Sequence, residues 1–223
     1  MEKPEEYKCQ MVSWDDAYSL AKRLARNIKS SGFKPDLVIG IGRGGLVPAR
    51  IVCDFLLLKD MASIKVEHWG IASTLGKAKI KYSLPCEIEI SGKSILVVDD
   101  VADTGETYSI IQDYFKRKNV CKIRTAALHY KTSSKFIPDY WEEKHENWKW
   151  IIYPWALYED MNGFIQPMLK TPKTLEALRK DLKSIFEIRI SKNELEEMLN
   201  DMVLEGKLVR NKIDQKVLWE LVK

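Results

Sequence analysis

The run ILVVDDVADTGET, residues 95–107, limits the fold more than any other stretch of the chain. Ile95–Val98 is a strand with no polar face, so both of its sides must be covered. Two adjacent carboxylates follow, Asp99 and Asp100, then a third, Asp103. Thr104, Gly105, Glu106 and Thr107 open a helical pattern that continues through YSIIQDYFKRK. The same order of strand, polar turn and helix stands upstream. There PDLVIGIG reads as a buried strand, RGG as a turn, and LVPARIVCDFLLL as a helix that tolerates Pro48 only near its first turn. MASIKVEHWG and CKIRTAALHYK read as further strands. Strands alternating with helices imply an α/β fold, with a central parallel sheet flanked by helices and ligands at the carboxyl ends of the strands.

The turns carry the chemistry. Amide N–H groups and hydroxyls at a helix N-terminus make an anion site for a phosphate. Carboxylates do not bind phosphate, but they hydrogen-bond the vicinal hydroxyls of a ribose or hold Mg²⁺ through oxygen. A helix cap alone would need only one of these residues. Together they describe a site for ribose 5-phosphate. A Walker nucleotide site would need G-x-x-x-x-G-K-[ST], which is absent. In GIGRGG, Gly40, Gly42 and Gly45 also spell a dinucleotide-binding turn, and Glu67 stands near the end of the next strand. Spacing therefore leaves an NAD reading open, although Arg43 inside the turn is foreign to it.

VVDDVADTGET resembles the signature by which type I phosphoribosyltransferases bind 5-phosphoribosyl-1-pyrophosphate (PRPP). IGRGGLVPARI resembles their pyrophosphate loop, in the purine branch that includes the xanthine-guanine and hypoxanthine enzymes. The likeness spans about residues 12–168, with the two motifs in the expected order. It implies transfer of the 5-phosphoribosyl group from PRPP to a purine base, most simply a 6-oxopurine (hypoxanthine, guanine or xanthine), giving pyrophosphate and a nucleoside 5-monophosphate for purine salvage. By the resemblance, Gly42, Arg43, Gly44 and Gly45 grip the pyrophosphate, with a cis peptide at Gly42–Arg43. Asp99 and Asp100 face the ribose and the cofactor Mg²⁺, and Ala102, Asp103, Thr104, Gly105, Glu106 and Thr107 wrap the 5-phosphate. Asp103 matches the general base that takes the proton from purine N7. Lys131 matches the donor to the 6-oxygen, and Trp150 and Ile151 the wall against which the base stacks. Trp148, Tyr153 and Trp155 read as packing. Two departures stand out: HWGIAS replaces a Ser-Tyr element at the start of the mobile loop, and Ala156 stands where relatives carry an acid. An adenine enzyme on the same scaffold, or a PRPP-sensing DNA-binding regulator, are the alternatives.

The expected domains are a phosphoribosyltransferase domain over 1–170, with an aromatic, irregular hood at about 134–168, and an extension over 171–223. In the extension two helices, TLEALRKDLKSIF and SKNELEEMLNDMVLEG, precede a hairpin, KLVRNKIDQKVLWELV, in winged-helix-like order. Basic and acidic residues nearly balance there, which argues against nucleic acid as a partner. Residues 70–92 are polar and lysine-rich and read as a mobile hairpin rather than core, with 70–85 closing over PRPP; of Lys77, Lys79 and Lys81, which could add charge near the pyrophosphate, at least two read as a solvated basic face. His68, His129 and His145 receive no role. The four cysteines lack metal or disulfide spacing. A charged N-terminus, and no apolar run of about 18 residues, point to a cytoplasmic protein without a membrane span. Relatives of this type are dimers or tetramers, so a homo-oligomer is expected.

Overall fold

The computed structural model describes residues 7–70, 73–214 and 216–222, apart from the side chains of 68–70 and 73–77. In chain order the elements are β1 (Cys9–Met11), α1 (Trp14–Ser30), β2 (Leu37–Gly42), α2 (Leu46–Leu56), β3 (Met61–Gly70), β4 (Ser73–Tyr82), β5 (Ser94–Ala102) and α3 (Glu106–Lys116). There follow β6 (Lys122–Lys131), β7 (Tyr140–His145), β8 (Trp150–Ile152), α4 (Leu157–Met168), α5 (Leu175–Phe186), α6 (Lys192–Leu204), β9 (Leu208–Ile213) and β10 (Lys216–Leu221). They gather into two compact units. One holds Ser13–Gly70 and Thr74–Trp148, and the other holds the segment ending at Val12 together with Lys149–Lys223. The expected boundary at 170–171 thus falls inside the second unit.

The first unit is built on a six-stranded sheet in the order β4-β3-β2-β5-β6-β7. β2 is parallel to both β3 and β5, and β6 is parallel to both β5 and β7. Ile95, Leu96, Val97 and Val98 are fully buried, as a central strand covered on both faces requires. β5 does not end at Val98 as expected. It continues to Ala102 on its β6 side, while its pairing with β2 stops at Gly40 opposite Val98. Asp99 and Asp100 therefore sit on a strand whose other edge is given over to the glycine turn after β2.

The helix ends fit their sequences. Ser13 and Asp16 close a reciprocal capping box on α1, which stops at Gly32 with φ 75°. Pro48 lies in the first turn of α2, where its missing N–H costs nothing. The lysine-rich stretch after β3 is less peripheral than its composition implies. Ala78 and Leu84 are buried, and Ile80, Ile88 and Ile90 pack against the same core. Alternation supplies the reason, since every second residue of β4 can turn inward. Lys79 and Lys81 pair with Glu67, at 3.8 and 2.5 Å. Lys77, His68 and the closing movement expected of 70–85 involve side chains outside the described residues.

In the second unit β1 pairs in parallel with β8, and β9 pairs antiparallel with β10. The tail forms the two expected helices, capped by Thr174 and Ser191, and the expected hairpin. Leu178, Leu182, Leu199 and Trp219 share one core with Cys9, Ile152 and Phe164. The expected irregular hood is instead β7, β8 and α4. Among the described residues no helix is long and apolar enough to cross a membrane.

Candidate functional site

The two motif turns lie side by side because β2 and β5 are neighbours. At Gly45 a Cβ would stand 2.4 Å from Val98 O and 2.8 Å from Asp99 Cα, so glycine there lets the first turn lie against β5, and at Gly44 a Cβ would displace the Asp100 carboxylate, 2.0 Å away. The Gly42–Arg43 peptide is cis, as the resemblance implies, and the Arg43 side chain is exposed. α2 and α3 both begin at glycines, Gly45 and Gly105, that provide no side-chain cap, whereas α1, α5 and α6 are capped by a hydroxyl. Two uncapped helix N-termini thus follow the two turns, which suits anionic groups.

The turn before α3 is braced from behind. Lys135 N donates to Thr104 O at 3.0 Å, and Ser133 Oγ to Asp103 O at 3.4 Å. Gly105 has φ 82°, and a Cβ there would meet Phe136 N at 2.6 Å. The Phe136 ring stacks on Tyr108 at 5.1 Å. Ala102 is buried, while Thr104, Glu106 and Thr107 are half-buried around the turn.

The adjacent carboxylates differ from ordinary surface acids. Burial first, and then the charge of Asp100, pushes the Asp99 carboxyl well above its ordinary range. Its Oδ1 accepts the Asp100 N–H at 3.0 Å. Two hard oxygen donors in mutual repulsion at one strand end fit a divalent cation that takes oxygen ligands.

The register of β6 on β5, with Ala102 opposite Tyr130, brings Lys131 beside Asp103. Lys131 Nζ donates to Asp103 Oδ2 at 2.8 Å, with the two side chains 3% and 9% exposed. Burial pulls the Lys131 ammonium below its usual value, against the opposing pull of Asp103. Asp103 has a second donor that the sequence reading set aside as packing: Trp148 Nε1 reaches its Oδ1 at 3.0 Å. The Trp148 ring also lies under Lys131 Nζ, 4.3 Å from its centroid. One carboxylate is thus held between an ammonium and an indole N–H, each on its own oxygen.

Trp150 and Ile151, expected to wall the base, belong to β8 in the second unit, where Trp150 packs against Tyr7 and, edge-on, against Phe164. Tyr153 stacks on Trp155 in the same unit. No sequence signal separates Trp148 from Trp150. What separates them is that pairing with β1 begins at Trp150.

Behind Lys131, His129 is fully buried and meets Glu143 at 3.2 Å. Burial, followed by the charges of His145, Lys131 and Arg23, pulls its pKa from 6.5 to about 3. A neutral imidazole in the fold and a protonatable one in the unfolded chain make stability present above the unfolded value and lost as pH falls from 6.5 towards 3. We expect a loss of about 2 kcal/mol between pH 7 and pH 5 from this group. His129→Gln should flatten that limb in urea melts; an unchanged slope would count against the assignment.

Over residues 10–160 the chain matches the family described as phosphoribosyl transferase domain. A xanthine-guanine phosphoribosyltransferase of Cereibacter sphaeroides (strain ATCC 17025 / ATH 2.4.3) is 30% identical over 151 residues, covering 66% of this chain and 86% of that protein. A hypoxanthine-guanine phosphoribosyltransferase of Saccharomyces cerevisiae is 32% identical over 114 residues, covering 44% and 51%. Among solved structures, a purine phosphoribosyltransferase from Pyrococcus horikoshii Ot3 superposes with a TM-score of 0.57 at 28% identity, covering 66% of this chain and 93% of that one.

Proposed function

The chain belongs to the phosphoribosyl transferase domain family, and from that premise we propose that it transfers the 5-phosphoribosyl group of PRPP to a 6-oxopurine, releasing pyrophosphate and giving a nucleoside 5-monophosphate. The observation that carries the choice of base is the Asp103–Lys131 pair, buried one strand away from the ribose-facing acids. A carboxylate able to accept the N7 proton, beside a cationic donor able to bond a 6-oxygen, suits a 6-oxopurine. A 6-amino group would set donor against donor. The names of the two curated relatives support the same class.

Such a reaction needs no protein nucleophile. Its demands are orientation, a place for the leaving charge and a proton acceptor. Arg43 and the amides of Gly44 and Gly45 hold the pyrophosphate, and the turn from Ala102 to Thr107 holds the 5-phosphate. Asp99 and Asp100 take the ribose hydroxyls and would hold Mg²⁺, whose charge, when it is bound, offsets that of the diphosphate. Asp103 accepts the N7 proton as the new glycosidic bond forms. An assay of labelled hypoxanthine, guanine, xanthine and adenine with PRPP and Mg²⁺ tests the reading, which fails if no base is converted.

A base that uses Asp103 must also take Oδ1 from Trp148. Trp148→Phe keeps a ring beneath Lys131 and removes the N–H. The KM for the base should then fall about five- to thirtyfold, since a charge-assisted bond of ~1–2 kcal/mol no longer competes. A rise in KM would mean that Trp148 helps to hold the base.

A further inference from the structure

We propose that His129, Glu143 and His145 form a site for one divalent transition ion of the Zn²⁺, Co²⁺ or Ni²⁺ kind, separate from the oxygen donors Asp99 and Asp100. The residues come from neighbouring parallel strands. His129 on β6 is opposite Glu143 on β7, and His145 lies two residues farther along β7, on the same face as Glu143. One ligand atom from each residue lies within 4.8 Å of the other two.

The spacing suits a tetrahedral ion. Bonds of about 2.0–2.2 Å to nitrogen and oxygen keep ligand atoms roughly 3.3–3.5 Å apart. The His129 Nε2 to Glu143 Oε2 edge is 3.2 Å, already about that length. The His145 ligand atom lies within 4.8 Å of the other two, so a shift of at most about 1.5 Å in the His145 ring closes the set. Glu143 is also held from behind. Arg23 Nη2 reaches its other oxygen, Oε1, at 3.5 Å, which leaves Oε2 turned to the imidazole. That is the arrangement by which an outer residue orients a carboxylate ligand.

The donor set selects the ion. Two imidazoles and one carboxylate suit borderline ions, whereas Mg²⁺ favours oxygen throughout. Three protein ligands leave a fourth position, and the Glu143 side chain, 43% exposed, opens it to solvent. The positive charges of Arg23 and Lys131 weaken the site, so micromolar rather than nanomolar affinity is expected. Lys131 is the register partner of His145. An ion here would clip β6 to β7 beside the Lys131–Asp103 pair.

Exposed thiols at Cys86 and Cys121 also attract such ions, so the test uses the full chain carrying Cys86→Ser and Cys121→Ser. Calorimetric titration of this protein with Zn²⁺, after treatment with a chelator, should give one equivalent bound. Glu143→Gln and His145→Asn, at partly exposed positions, should each weaken binding at least tenfold with the circular dichroism spectrum unchanged. Asp99→Asn should leave Zn²⁺ affinity unchanged, and millimolar Mg²⁺ should not compete. Equal Zn²⁺ affinity in parent and variants, or no stoichiometric binding by the folded parent, overturns the proposal.

Discussion

Asp103→Asn is expected to lower kcat/KM for the base by about 10²–10⁴-fold, the range for losing a positioned general base. The amide keeps the volume of the carboxylate but cannot accept the N7 proton. It also leaves Lys131, 3% exposed, without its counter-charge. Removing one partner of a buried pair costs about 3–5 kcal/mol, and Lys131, already pulled below its usual value, can offset part of this by giving up its proton. Two measurements separate the effects. Adding Lys131→Met to Asp103→Asn should restore the urea midpoint, since no unpaired charge remains, while kcat/KM stays low. Near-parental kcat/KM in Asp103→Asn would remove Asp103 from the proposed chemistry, and unchanged stability would mean that the pair is less enclosed than its geometry implies.

Gly45→Ala should cost about 3 kcal/mol or more of stability, the upper end for forcing atoms into a packed interior. The new Cβ would lie 2.4 Å from Val98 O, 2.8 Å from Asp99 Cα and 2.9 Å from Ile41 O. All three are backbone atoms of β2 and β5, so relief requires the two central strands to part. Gly44→Ala makes a useful contrast. Its Cβ would meet Asp100 Oδ2 at 2.0 Å, a side chain that can rotate away. Gly44→Ala should therefore fold with a modest loss of stability, but weaken PRPP binding by displacing Asp100. If Gly45→Ala unfolds within about 1 kcal/mol of the parent in urea, the close approach of the turn to β5 is wrong.

The strands and helices that carry the site were legible because each is specified locally. Ile95–Val98 is apolar on both faces, Ser13 and Asp16 sit where a capping box needs them, and Pro48 falls where a helix tolerates it. The hood was not legible. Residues 134–167 mix aromatics and charges without a period, and β7 and β8 form because β6 and β1 offer them edges.

The site divides along the same line. Asp99, Asp100, Asp103 and the glycines are contiguous in sequence, and a turn's chemistry can be read from contiguous residues because its backbone geometry is local. Lys131 was assigned only through the resemblance, and its meeting with Asp103 depends on strand register 28 residues away. Trp148 was read as packing, and its bond to Asp103 was not foreseen, because it depends on where the chain takes up its pairing with β1, which begins at Trp150. His129, Glu143 and His145 were passed over for a like reason. By itself the sequence determined the parallel α/β scaffold and the two glycine turns proposed to bind phosphate. The partners of Asp103 and the histidine cluster were decided only by the tertiary structure, because side chains on different strands become neighbours through sheet order and register, which no local run of residues encodes.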